Sequence, residues 1–146
     1  MKPELEHLYS SFFSIMLLSM LIWGEARGEP IEGKTAVAWV VRNRTYASRS
    51  YGKGWEGVML RKKQFSCFNE LDPNREKIEE IWFTMRTWKE FRVCFEVAVK
   101  VYLGFGFDPT IGATHYFNKR LAPSWARKMI QTAIIGEHVF YKYKDE

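Results

Sequence analysis

Apolar residues dominate from Leu5 to Trp23, and Leu5, Leu8, Phe12, Ile15, Leu18 and Ile22 fall three or four apart, as one helical face requires. The spacing predicts a core-facing helix. Glu25 follows three residues after Ile22 and seven after Leu18, so the same periodicity carries its side chain on the buried stripe. Gly28 lets the backbone leave the helix, and Pro30 suits the first turn of a new one, where a missing N–H costs nothing. A second helix is predicted over 31–46, with Ala36, Val37, Val40 and Val41 inward and Arg42 and Arg44 near its C-terminal end.

Residues 47–55 are loop chemistry, and a short helix follows over 56–62. Gln64-Phe65-Ser66 and the chain through Asp72-Pro73 lack helical periodicity and predict an irregular or short β region facing a cleft. Helices resume over 75–87 and 91–103; in the second, Val93, Phe95, Val97, Val99 and Val101 predict burial over much of the circumference. Gly104 to Pro109 ends it. Thr114 to Asn118 reads as a short extended segment, Ser124 as the N-cap of a turn containing Trp125, and 131–135 with 138–143 as a hairpin joined at Gly136-Glu137. The pattern predicts a mainly α, α+β protein with a small β-hairpin region, and at 146 residues one domain over 1–146.

Composition excludes disorder: 47% of residues are apolar, and six Trp, seven Tyr and eleven Phe exceed what a small core requires. Some rings are therefore expected at a binding surface. The formal charge of +5 suits an anionic partner, whether nucleic acid, membrane or an acidic wall polymer. Cys67 and Cys94 form neither a disulfide framework nor a metal quartet and read as small core residues, one disulfide staying open if the protein is exported. His7, His115 and His138 show no ligand spacing, so neither metal nor cofactor is expected.

The chemistry centres on Gly24 to Pro30. A carboxylate at the end of an apolar helix faces desolvation, which favours its protonated form and suits Glu25 to a general acid. Glu29 instead sits at the start of the next helix, where exposed amides and the helix dipole favour a carboxylate, and reads as a structural brace. No second acid has a setting like that of Glu25: Glu70 and Asp72 lie in a loop and Asp108 precedes a proline.

The ordered blocks Trp23-Gly24-Glu25-Ala26-Arg27-Gly28-Glu29-Pro30, Ala36 to Arg44, Gln64-Phe65-Ser66, and Asp108-Pro109-Thr110 with Gly112 to Asn118 resemble the SleB/CwlJ-type cell wall hydrolases, the spore-cortex-lytic family also found in bacteriophage genomes. A weaker likeness runs from Ser124-Trp125-Ala126 to Ile135 through Phe140, and 71–92 diverges. The resemblance implies a lysozyme-like domain cleaving the β-1,4 bond between N-acetylmuramic acid and N-acetylglucosamine in peptidoglycan, as a muramidase or a one-carboxylate lytic transglycosylase. It places Glu25 on the catalytic acid and puts Gln64, Ser66, Tyr116 and Asn118 in the blocks that form the groove. Trp125 is flat and amphipathic, so it reads equally as a sugar-stacking ring and as core; Tyr116, Gln64 and Asn118 divide in the same way between substrate contact and packing or loop structure. His115 points opposite Tyr116 on a strand and reads as structural.

Two function classes follow. One is the peptidoglycan enzyme, with glycan strands as partner, no nucleic acid and a monomeric state expected. The other is a non-catalytic module in which basic residues such as Arg61-Lys62-Lys63 beside exposed rings hold a wall polymer or nucleic acid. Against a signal peptide or membrane anchor stand Glu4 and Glu6 near the start, an apolar run shorter than about 20 residues and no small-residue cleavage site before Gly24, so stable membrane insertion is not expected. The expected place of action is the bacterial cell wall, reached from the host cytoplasm before lysis or with the virion if the chain is phage-encoded.

Overall fold

The computed structural model describes residues 2–62, 64–84 and 88–146, with the side chains of 81–84 and 88 outside that description. Among the described residues, five α-helices are followed by a three-stranded sheet: α1 Pro3–Ala26, α2 Ile31–Tyr46, α3 Gly54–Met59, α4 Pro73–Thr84, α5 Trp88–Tyr102, β1 His115–Asn118, β2 Ile130–Ile135 and β3 His138–Lys142. Short 3-10 turns lie at Ser66–Phe68 and Ser124–Lys128. The protein is α+β and mainly α, as its periodicity predicts. The strands run antiparallel in the order β1-β3-β2, with a bulge between Gln131 and Ala133.

The helix α2 is the partition of the fold. Its Val37, Ala38 and Val41 join Leu18, Leu21 and Ile22 of α1 and Cys94, Ala98 and Val101 of α5 in the main core. Its Ala36 and Val40 close a smaller core against Ala113, Ile135 and Phe140 of the sheet side. Apolar residues on two faces hold the helix fixed between helical and β layers. Cys67 and Cys94 are both free and fully buried, in keeping with small core residues.

Three expectations need correction. Leu5, Leu8 and Phe12 are exposed, because the 24-residue α1 outruns the shorter helices beside it and only its second half enters the core. At that length and composition α1 is long and apolar enough to cross a membrane, so the argument from a short apolar run fails. Ser124 opens its turn without capping it; Pro123 holds the N-cap position and no side-chain cap bond forms. The segment from Gln64 is irregular, one of the two forms expected for it, and contains the 3-10 turn Ser66–Phe68. Helix α5 keeps an exposed polar stripe of Arg92, Glu96 and Lys100, four residues apart, and buries its apolar residues from Phe91 to Tyr102 wholly or in part. The predicted end of α4 near residue 87 and Lys63 of the basic run lie outside the described residues.

Candidate active site

Glu25 emerges in the last turn of α1, half-buried at a lip and not on the fully buried stripe. The residue before it explains what comes close. A Cβ on Gly24 would lie 2.6 Å from Cys67 Cβ and 2.9 Å from Ile78 Cδ1, so only glycine lets the 66–68 turn lie directly against α1. That approach brings the Cys67 backbone N–H to 3.0 Å and the Ser66 hydroxyl to 3.2 Å from Glu25 Oε1, and both donate to it. From the sheet side, Tyr116 OH donates to Oε2 at 3.2 Å. Three donors from two separate elements fix the carboxylate's position.

Tyr116 remains a phenol. Burial, reinforced by the negative charge of Glu25, raises its pKa well above the ordinary value, so it donates and does not ionise. The Cys67 thiol is likewise pushed far up, first by burial and then by Glu25; its amide, and not a thiolate, is its contribution to the site.

Beyond Tyr116 opens a cavity of about 470 Å³ bordered by Gln64, His115, Tyr116, Trp125 and Lys128. Trp125 is 36% exposed and leans on His115 and Phe117, each 5.4 Å away between ring centroids. Gln64 Oε1 accepts from Arg44 Nη1 at 3.1 Å. The structure thus brings Glu25, Ser66 and Tyr116 into direct contact and places Gln64 and Trp125 around the adjoining cavity. Asn118 stands apart: its Oδ1 accepts from the Arg120 N–H at 3.0 Å and forms the turn that leaves β1.

Glu29 is enclosed. Its Oε1 accepts from the Glu137 N–H at 3.1 Å, and a Cβ on Gly136 would sit 2.0 Å from Oε2. Gly33 gives equal room on the α2 side, where a Cβ would meet Glu29 Cβ at 2.8 Å. Lys34 closes the junction by donating to the carbonyls of Arg27, at 2.9 Å, and Glu29. His138 Nδ1 lies 3.3 Å from Glu29 Oε1, without hydrogen-bond geometry, and the His138 ring packs edge-on to Tyr116 at 5.1 Å. Burial lowers the His138 pKa despite Glu29, Glu25 and Glu137 nearby, so the ring is a neutral packing element.

Two of the other acids are occupied elsewhere. Asp72 Oδ1 accepts from the Asn74 N–H at the start of α4, and Asp108 gathers Thr110, Gly112 and Asn43 into the loop before β1. Glu70 is exposed.

Arg44, His115 and Lys128 border the site without having been singled out for it in sequence. Arg44 is 6% exposed, donates through Nε to Thr114 O at 2.6 Å, and lies 4.9 Å over the Phe65 ring. A signal existed: Arg44 stands three residues after Val41 and seven after Val37, on the buried stripe of α2. His115 reads as structural from the sequence, yet its ring forms part of the cavity wall; its pKa falls to about 4, through burial first and then Arg44.

Residues 28–141 match the family described as Cell Wall Hydrolase, a match that begins after Glu25. A spore cortex-lytic enzyme of Oceanobacillus iheyensis is 31% identical over 135 residues, 88% of this chain and 41% of that protein. The one from Bacillus cereus is 33% identical over 135 residues, 88% of this chain and 44% of its own. The chain therefore spans less than half the length of these curated relatives. The crystal structure of the catalytic domain of Bacillus cereus SleB superposes with a TM-score of 0.65 at 27% identity, covering 88% of this chain and 89% of that one. The catalytic domain of the germination-specific lytic transglycosylase SleB from Bacillus anthracis gives 0.68 at 28% identity, over 88% and 93%. With a family match over most of its length and the lysozyme-like α+β fold of those catalytic domains, the chain belongs to the cell wall hydrolase family.

Proposed function

We propose that residues 1–146 form one catalytic domain that cleaves peptidoglycan glycan strands at the β-1,4 bond between N-acetylmuramic acid and N-acetylglucosamine, with Glu25 as general acid and then base. The observation that carries this reading is a single carboxylate held by three donors, one of them the Tyr116 phenol, whose residue borders a polar and aromatic cavity. The proton of Glu25 passes to the bridging oxygen, the muramic C1–O bond breaks with its electron pair on the departing glucosamine O4, and an oxocarbenium-like centre develops at C1. The resulting carboxylate removes the proton of the muramic 6-hydroxyl while that oxygen attacks C1, giving a 1,6-anhydro end and returning the proton to Glu25.

The transglycosylase route is favoured over hydrolysis for two reasons. Of the other acids that the sequence offered, Glu29, Asp72 and Asp108 are engaged in a brace, a helix cap and a loop, and Glu70 is exposed and does not border the cavity beside Tyr116. A structural relative carries the description lytic transglycosylase. In this reading Tyr116, Ser66 and the Cys67 amide aim Glu25, Gln64 presents its amide to an N-acetyl group, Trp125 lies under a sugar ring, and Glu29 braces the junction behind. Asn118 shapes the turn at the end of the groove. The place of action is the bacterial wall.

Digestion of purified sacculi tests the proposal. The wild-type chain should release 1,6-anhydro muropeptides, and Glu25→Gln should release none; equal release by both would refute the assignment of Glu25. Reducing ends in place of anhydro ends would identify a muramidase acting through water.

A further inference from the structure

The outer half of α1 projects past the helices beside it, and residues 2–10 are exposed on every side. Leu5, Leu8, Tyr9, Phe12 and Phe13 recur at helical spacings that place them on one face, and they are 50, 67, 73, 57 and 48% exposed. At the inner end of this half, Ser11 and the following Ser14 face the protein, away from that stripe. Ser14 Oγ donates to Glu56 Oε1 at 2.6 Å, and Ser11 Oγ accepts from Tyr102 OH at 3.2 Å. Ser11 and Ser14 turn toward the protein while Leu5, Leu8, Phe12 and Phe13 turn toward solvent.

The apolar face does not end there. It continues through Phe13, Met16 and Met20 into a cleft of about 440 Å³ closed by Leu60, Phe68 and Ile78. None of the groups that hold Glu25 borders this cleft. An adjoining hollow shares Leu60, Phe68 and Arg75 and adds Leu71, which is 97% exposed, together with the exposed Arg61 and Lys62. A stripe of five large apolar side chains leading into an apolar cleft exceeds the scattered hydrophobes of an ordinary surface and marks an interaction face.

We propose that this face docks on the surface of an anionic phospholipid bilayer. By length and composition α1 suits a lipid environment, but its second half is committed to the protein core. The outer half, residues 3–13, spans about 16 Å at 1.5 Å per residue, half the roughly 30 Å of a hydrocarbon core, so it lies in the interface and does not cross it. Tyr9 supplies an aromatic ring with a polar tip suited to headgroup level. Glu4 and Glu6 flank the stripe, Glu70 borders the same hollow as Arg61 and Lys62, and Arg75 is shared with Glu79 at 2.8 Å, so the attraction to anionic headgroups falls to Arg61 and Lys62 within a chain of net charge +5. Apolar centre and basic rim together match a phospholipid surface.

Sedimentation with vesicles tests this independently of the chemistry at Glu25. The full chain is mixed with vesicles of phosphatidylglycerol and phosphatidylcholine, or of phosphatidylcholine alone. It should bind the anionic vesicles, release in moderate salt, and bind the neutral ones weakly. Leu8→Ser with Phe12→Ser should lower binding by about tenfold or more while helix content and release of muropeptides from sacculi stay unchanged. Arg61→Gln with Lys62→Gln, on a separate element, should remove the preference for the anionic vesicles. Glu25→Gln should bind as the wild type does, so loss of catalysis and loss of docking are read separately. Failure to bind anionic vesicles, equal binding by the Leu8/Phe12 variant, or a dimer in light scattering that this variant dissociates would each overturn the proposal.

Discussion

The phenol of Tyr116 donates to Oε2 of Glu25 at 3.2 Å, joining the end of the first helix to the first strand across 91 positions of sequence. The opposite carboxylate oxygen is held by Ser66 and the Cys67 amide. Glu25 is therefore oriented by the sheet on one side and by a turn of the helical layer on the other, and its aim depends on how those two layers dock.

Tyr116→Phe removes the sheet-side donor and leaves the ring in place. Turnover on sacculi should fall about 10- to 100-fold, the equivalent of one hydrogen bond to a charged group, with KM changed little. Thermal unfolding should move by no more than a few degrees. A fall in KM-linked binding with unchanged turnover would show that the phenol contacts substrate and does not orient Glu25.

What the sequence made legible, and what it hid, divides along local and tertiary lines. Helix α2 is read at its observed bounds, because Pro30 starts it and its valines repeat with helical period. The hairpin at Gly136 is legible from the turn glycine and the flanking apolar residues. The exposed first half of α1 is not, since periodicity reports that a helix has an apolar face without saying how far its neighbours extend to cover it. Arg44 is similar: a cation near a helix end reads as solvated until the turn carrying Gln64 and the carbonyl of Thr114 are brought to it across the fold. The Cys67 amide at Glu25 is a backbone contact and left no side-chain signature.

Arg44→Met tests the buried cation. The substitution removes the donor to Thr114 O and releases Gln64 Oε1, and a carbonyl left unpaired costs about 1–3 kcal/mol, offset in part because a desolvated charge also disappears. Burial lowers the Arg44 pKa, consistent with that desolvation. Urea unfolding should show a net loss in stability, and KM should rise more than kcat falls, because Gln64 loses its anchor while Glu25 keeps all three donors. An unchanged KM would remove Gln64 from substrate binding.

The chain should lose stability as pH falls from about 6.5 toward 4. In the unfolded chain His115 takes up a proton near its ordinary value of 6.5; in the folded protein burial, then Arg44, hold the ring neutral until about 4. Between those values the unfolded state binds the extra proton, so unfolding becomes more favourable as pH drops. His138, lowered chiefly by burial, acts in the same sense. Urea midpoints at pH 7, 6 and 5 should decline for the wild type and decline less for His115→Asn. Parallel profiles would show that His115 does not carry the effect.

Gly136→Ala tests the enclosure of Glu29 behind the site. The backbone at Gly136 has φ +58°, a left-handed conformation that costs an alanine about 1 kcal/mol, and its Cβ would fall 2.0 Å from Glu29 Oε2. Strain and collision together should destabilise the protein by about 2 kcal/mol or more and lower activity by displacing the junction next to Glu25. Gly28→Ala is the control, since a Cβ there meets nothing within 4 Å and should change stability by less than about 0.5 kcal/mol. Glu29→Ala in the Gly136→Ala background removes the colliding carboxylate, so the two changes should be less than additive, as contacting residues are. Full additivity in a double-mutant cycle would mean that Glu29 and Gly136 do not press on each other, and the bracing role assigned to Glu29 would fall with that contact.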